Sequence, residues 1–102
     1  MSDVKLLNKD YLRSQFAYYM GDMYHLAIKN CKCMARPIGS KRKNGHVYVI
    51  IKGYRFNVRD VTWVWHYGHV PPSGLRYKDG VPGNNQIDNI VPVNPAEWVS
   101  FL

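Results

Sequence analysis

A single α+β domain of short helices and β-hairpins is the fold class that the sequence predicts. The 102 residues suffice for one modest core and leave no room for a second module. The apolar fraction of 46% and aromatic fraction of 14%, with eight Tyr and three Trp, allow burial to offset the entropy of ordering the chain. Stretches of helical spacing alternate with period-two runs closed by Gly-bearing turns, and no internal repeat or low-complexity linker interrupts them.

The elements follow in order. Asn8 is expected to cap a helix running to about Met20, with Lys9 and Asp10 in its first turn and Tyr11, Leu12, Gln15, Phe16 and Tyr19 at helical spacing. Gly21 is read as its stop. DMYHLAIK then alternates Met23, His25 and Ala27 against Tyr24, Leu26 and Ile28, as a strand does. A loop is expected from Asn30 to Asn44, closed by an Asn44-Gly45 turn. HVYVIIK and YRFNV flank a Lys52-Gly53 turn and form a hairpin. RDVTWVWHYG reads as a short helix with Val61, Trp65 and either Val64 or Gly68 on one side, ended by Gly68. Beyond it the chain is rich in turns. LRY and IVPV are its expected strands, and a last short helix starts at Pro95 with Asn94 as cap.

The formal charge is +7, and its distribution is one-sided. From Lys29 to Arg59 the chain carries Lys29, Lys32, Arg36, Lys41, Arg42, Lys43, Lys52, Arg55 and Arg59, with no Asp or Glu among them. A phosphate-facing surface needs such a block, because each neutralised phosphate releases counterions. An acidic protein partner is served equally well, and a merely solubilising surface is the plain alternative.

Cys31 and Cys33 form a lone C-x-C. A bond between residues that close in a strand is strained, so reduced thiols in an intracellular protein are expected. Zinc would need a second ligand pair that is not evident, although His25 and His46 are near in sequence. MSDVKLLNKD has no positive region followed by an apolar run, so no secretory leader is expected. No apolar run is long enough to cross a bilayer. The expected location is the cytoplasm, and no cofactor is expected.

In this order the pieces resemble the HNH nucleases carried by bacteriophages, free-standing homing-like endonucleases included. That family places a capped helix with a Gly-bearing turn before a strand, then a basic loop, a hairpin, and a helix that often ends in HYG. Here the counterparts are NKDYLRSQFAYYMGD, IGSKRKNGHVYVIIKGYRF and VRDVTWVWHYG. The family core then reads approximately Asp-His, a turn with Asn or Asp and Gly, an Asn-Asn pair, and Ile-x-Asn-Leu before a strand and a last helix. This chain has Arg76-Tyr77, Lys78-Asp79-Gly80, Asn84-Asn85 and Ile87-Asp88-Asn89-Ile90. Asn89 lies twelve residues after Tyr77, the separation the family shows between its catalytic His and the Asn that orients it. The resemblance implies a ββα-metal core without a complete metal site, in one domain spanning 1–102.

The departures bear on chemistry. Hydrolysis in this family needs a neutral imidazole to activate water and a divalent ion to stabilise the leaving oxygen. Arg76 stands where the family has its anionic ligand, and a guanidinium repels a cation. Tyr77 stands where it has His, and a phenol with a reference pKa near 10 is a poor base at neutral pH. Trp98 stands where the last helix supplies the second ligand. His66, His69 and Asp79 lie in the right region to substitute. At the helix start the family's His-Arg is replaced by Arg59-Asp60, which retains a fixed charge for phosphate.

The expectation is therefore a catalytically inactive, HNH-like phage protein in the host cytoplasm, with no catalytic residue and no metal. It would bind nucleic acid, DNA above all, through Lys41, Arg42, Lys43, Arg59, Arg76, Tyr77 and Lys78. Asn84, Asn85 and Asn89 would be remnants of the motif, or simply turn residues that satisfy loop backbone. The alternative is an inhibitor that blocks a host enzyme or defence complex, with an acidic or nucleic-acid-binding protein as partner. An active nuclease with displaced groups is the third reading.

Overall fold

The computed structural model describes residues 7–25 and 37–99 of the chain. Cys31, Cys33, Lys29, Lys32 and Arg36 lie outside the described residues, as does the continuation of the second strand beyond His25. The domain is α+β, with short hairpins and helices in the order the sequence predicts, apart from two changes near the N-terminus.

The first change concerns the opening helix. Helix α1 spans Lys9–Gln15 and is capped as expected, with Asn8 Oδ1 accepting from the Tyr11 amide at 3.0 Å. It stops five residues short of Met20. Phe16–Tyr19 is strand β1, paired antiparallel with β2, Asp22–His25, so that Phe16 faces His25 and Tyr19 faces Asp22. Helical spacing in Phe16 and Tyr19 was an accident of an aromatic run whose residue types favour the pleated state. Met20 and Gly21 both have positive φ, 47° and 91°, the conformation of a two-residue hairpin turn. The glycine read as a helix stop is the second residue of that turn.

The second change is that the expected 30–44 loop contains strand β3, Ser40–Lys41, paired to β4, Val47–Ile51. The Lys52-Gly53 turn then leads to β5, Tyr54–Asn57, completing a three-stranded antiparallel sheet in the order β3-β4-β5. Helix α2, Val58–Tyr67, follows without a loop. Asn57 caps it, with Oδ1 accepting from the Arg59 amide at 2.9 Å, and Gly68 closes it in the left-handed region. Strands β6, Leu75–Tyr77, and β7, Ile90–Pro92, pair antiparallel, and α3, Pro95–Val99, follows. The Asn94 side chain accepts from the Ala96 amide at 3.2 Å.

Helix α2 organises the interior because two of its faces are apolar. Val58, Val61 and Val64 pack with Leu12, Phe16, Met23, Ile38, Ile51 and Phe56. Trp63 projects to the other side and packs with Leu75 and Ile90 beneath the β6–β7 hairpin. The expected helix face with Val61 and Val64 is the core face, whereas Trp65 is half-buried and donates its indole N–H to the Phe16 carbonyl at 3.0 Å. From α1, Arg13 donates to the Trp65 carbonyl at 2.8 Å and reaches the His66 carbonyl at 3.4 Å. These are end-of-helix acceptors with no partner inside the helix, so the contact ties α1 to the C-terminus of α2. No helix among the described residues is long and apolar enough to cross a membrane.

Candidate nucleic-acid interface

Alternation along β6 separates the two residues on which the chemistry turns. Arg76 is exposed, while its neighbours Leu75 and Tyr77 are buried at 5% and 8% exposure. Successive side chains of a strand point to opposite faces, so Arg76 and Tyr77 do not converge on one point.

Tyr77 enters a buried polar network. Its hydroxyl donates to Asn85 Oδ1 at 3.1 Å and lies 3.5 Å from Asn57 Oδ1. Asn57 in turn places its Nδ2 3.1 Å from His46 Nδ1. Because Asn57 Oδ1 already accepts from the Arg59 amide, the amide nitrogen must be the group facing His46. That nitrogen can only donate, so His46 Nδ1 is the acceptor of this bond. The His46 and Tyr77 rings lie 5.6 Å apart between centroids. Burial pushes the Tyr77 phenol above its ordinary pKa, partly opposed by a hydrogen bond from the Gly83 backbone and by the Arg59 charge. The hydroxyl is held protonated, as a donor.

The loop after β6 is built around Asp79 and Asn89. Asp79 Oδ1 accepts from the Val81 amide at 2.8 Å and from Asn89 Nδ2 at 3.0 Å, and Oδ2 accepts from Asn84 Nδ2 at 2.8 Å. Asn89 closes the circuit: its Oδ1 accepts from the Asp79 amide and its Nδ2 also donates to the Asn84 carbonyl, both at 3.0 Å. These bonds hold the Asp79 carboxyl below its usual pKa, the Val81 amide contributing most. Asn84 and Asn89 shape the loop, and Asn85 is buried and accepts from the Tyr77 hydroxyl.

The donor set does not fit a divalent ion. Arg76 brings a cation, Asp79 spends both oxygens on its own loop, and no three of His, Cys, Asp and Glu stand together among the described residues. The side chain of Trp98 lies outside what is described. His66 points its Nδ1 at the Thr62 carbonyl, 2.8 Å away, and packs edge-on against Tyr18 at 4.5 Å. Burial lowers its pKa, the Thr62 hydrogen bond opposes this, and Arg13 adds to the lowering. It is a packing residue of α2. His69 is exposed on the turn after that helix.

The expected basic residues fall into two groups. Lys41, Arg42 and Lys43 are exposed on β3 and the turn after it, which is closed by an Arg42 amide bond to the His46 carbonyl at 2.8 Å. Arg76 and Lys78 are exposed on the β6 hairpin. The β3–β4 turn and the loop between β6 and β7 touch at Gly45, Pro82 and Gly83. A Cβ built on Gly83 would sit 2.6 Å from the Gly45 carbonyl oxygen, and one on Gly45 would meet Pro82 at 3.2 Å. Glycine at 83 is thus required by close approach as well as by its φ of 89°. Arg59 differs from the rest. It is half-buried, pairs with Asp60 at 3.1 Å, and lies 5.8 Å from the Tyr77 ring centroid.

Sequence reading did not single out Asn57, His46 as its partner, or Tyr48, and it named Arg55 only as one of the basic block. Asn57 was findable: an Asn directly before a helix is a cap signature. The His46 contact was not, since eleven residues and a hairpin separate the two. The chain matches no protein-family model, no curated protein and no solved structure.

Proposed function

We propose that the protein is a non-hydrolytic, HNH-like domain that binds nucleic acid by its phosphates. The observation that carries this reading is that Lys41, Arg42 and Lys43 at the β3–β4 turn, and Arg76 and Lys78 on the hairpin whose loop touches that turn, are all exposed. No carboxylate among the described residues pairs with any of the five. Their charge is available for counterion release. Arg59 pairs with Asp60 through Nε alone, which leaves its other guanidinium nitrogens for phosphate.

The succession of β6, loop, β7 and α3 supports the family resemblance, as does Asn89 anchoring the loop twelve residues after Tyr77. The chemistry of hydrolysis has no counterpart in it. A buried, protonated phenol and an exposed guanidinium take the places of base and ligand, so these positions bind and brace. The second reading, a phage inhibitor of a host enzyme or defence complex, draws on Tyr19 and Met20, each 65% exposed at the β1–β2 turn.

Fluorescence anisotropy with a labelled duplex across a salt series tests the first reading. Affinity is expected to fall steeply with salt, with the log–log slope shallower by about one for each of Arg76→Ala and Lys78→Ala. A slope near zero overturns it. Retention of one host protein from lysate after the nucleic acid has been digested moves the weight to the second reading.

A further inference from the structure

The solvent face of the β3-β4-β5 sheet carries side chains besides Arg42 that the phosphate reading does not use. Register places Tyr48 opposite both Ser40 and Asn57, and Ile50 opposite Arg55, so these side chains share one face. The other face carries Val47, Val49, Ile51 and Phe56 to the core. On the solvent face Ser40, Arg42, Tyr48, Ile50 and Arg55 line a shallow groove of about 280 Å³. Ile50 is 62% exposed, and the Arg55 guanidinium lies 4.9 Å from the Tyr48 ring centroid. No carboxylate among the described residues pairs with Arg42 or Arg55.

Resting on the nucleic-acid reading above, we infer that this groove binds single-stranded nucleic acid, with an unpaired base stacked on the Arg55 guanidinium that Tyr48 backs and the backbone held by Arg42. Charge complementarity selects a polyanion, because the groove presents two guanidinium groups and no acid. The choice of a single strand follows from the planar groups. A guanidinium plane backed by a tyrosine ring offers a stacking surface, and only an unpaired base has a π-face free to meet it. A duplex presents phosphates and groove edges, to which the exposed Ile50 side chain and the plane of an aromatic ring offer no match. Ile50 supplies an apolar floor, and Ser40 a hydroxyl for a base edge or phosphate.

The test is fluorescence anisotropy of the full chain with labelled oligothymidylate, the matching single-stranded RNA, and a duplex of equal length. Wild type is expected to prefer both single strands to the duplex. Tyr48→Ala is expected to weaken single-strand binding about tenfold and duplex binding less than about twofold, the loss of one stacked base. Tyr48→Phe retains the ring and is expected to restore binding, and thermal unfolding of each variant shows that the fold persists. If the duplex binds as tightly as the single strands and Tyr48→Ala changes neither, the groove assignment is overturned while the phosphate reading stands. If no nucleic acid binds, both fall.

Discussion

Asn57 joins three parts of the molecule, and its removal has a calculable cost. Its Oδ1 caps α2 through the Arg59 amide at 2.9 Å, and its Nδ2 donates to His46 on the lead into β4 at 3.1 Å. Replacing an N-cap Asn by Ala costs about 1 kcal/mol. Losing the half-buried bond to His46 costs about 1 kcal/mol more. The 3.5 Å approach of the Tyr77 hydroxyl is too long to add much. Asn57→Ala should therefore destabilise the domain by about 2 kcal/mol, or about 8–16 °C in Tm for a chain of this size. Asn57→Ser retains a cap oxygen but cannot reach His46, and should lose about half as much. Urea unfolding followed by circular dichroism measures both. A loss below about 0.5 kcal/mol for the Ala variant would refute the argument that Asn57 links sheet, helix and hairpin. Equal losses for Ala and Ser would show that the cap contributes nothing.

Three further outcomes are expected. Asn89→Ala removes three side-chain bonds that shape the 78–89 loop and should cost about 1–3 kcal/mol, with faster amide exchange at Asp79 and an unchanged rate within α2. His66 has a lowered folded pKa, so the unfolded chain binds the extra proton more readily. Its contribution to stability is complete above pH about 6.5 and is lost as pH falls below that value; urea midpoints between pH 5 and 7.5 should show a slope that His66→Gln reduces. Purified protein with magnesium or manganese should leave supercoiled DNA intact. Nicking that disappears with Asp79→Ala or His69→Ala would instead establish an active nuclease with displaced groups.

Local features of the sequence decided much of this domain. Asn8 and Asn94 cap helices, Lys52-Gly53 turns a hairpin, and Gly68 ends α2, because each acts through backbone groups within a few residues of itself. The turn-rich stretch after α2 likewise holds a loop whose two ends are bonded together. What needed the tertiary structure was everything settled by partners far along the chain. Phe16–Tyr19 fits a helical pattern as well as an extended one, and pairing with Asp22–His25 decided between them. Arg76 and Tyr77 are adjacent letters, yet strand alternation sends one to solvent and the other to Asn85. The basic turn reaches the β6–β7 loop only because Gly45 and Gly83 allow two backbones to touch across nearly forty residues. Residue types state what each group can do; which groups meet is decided by packing, a property of the whole chain.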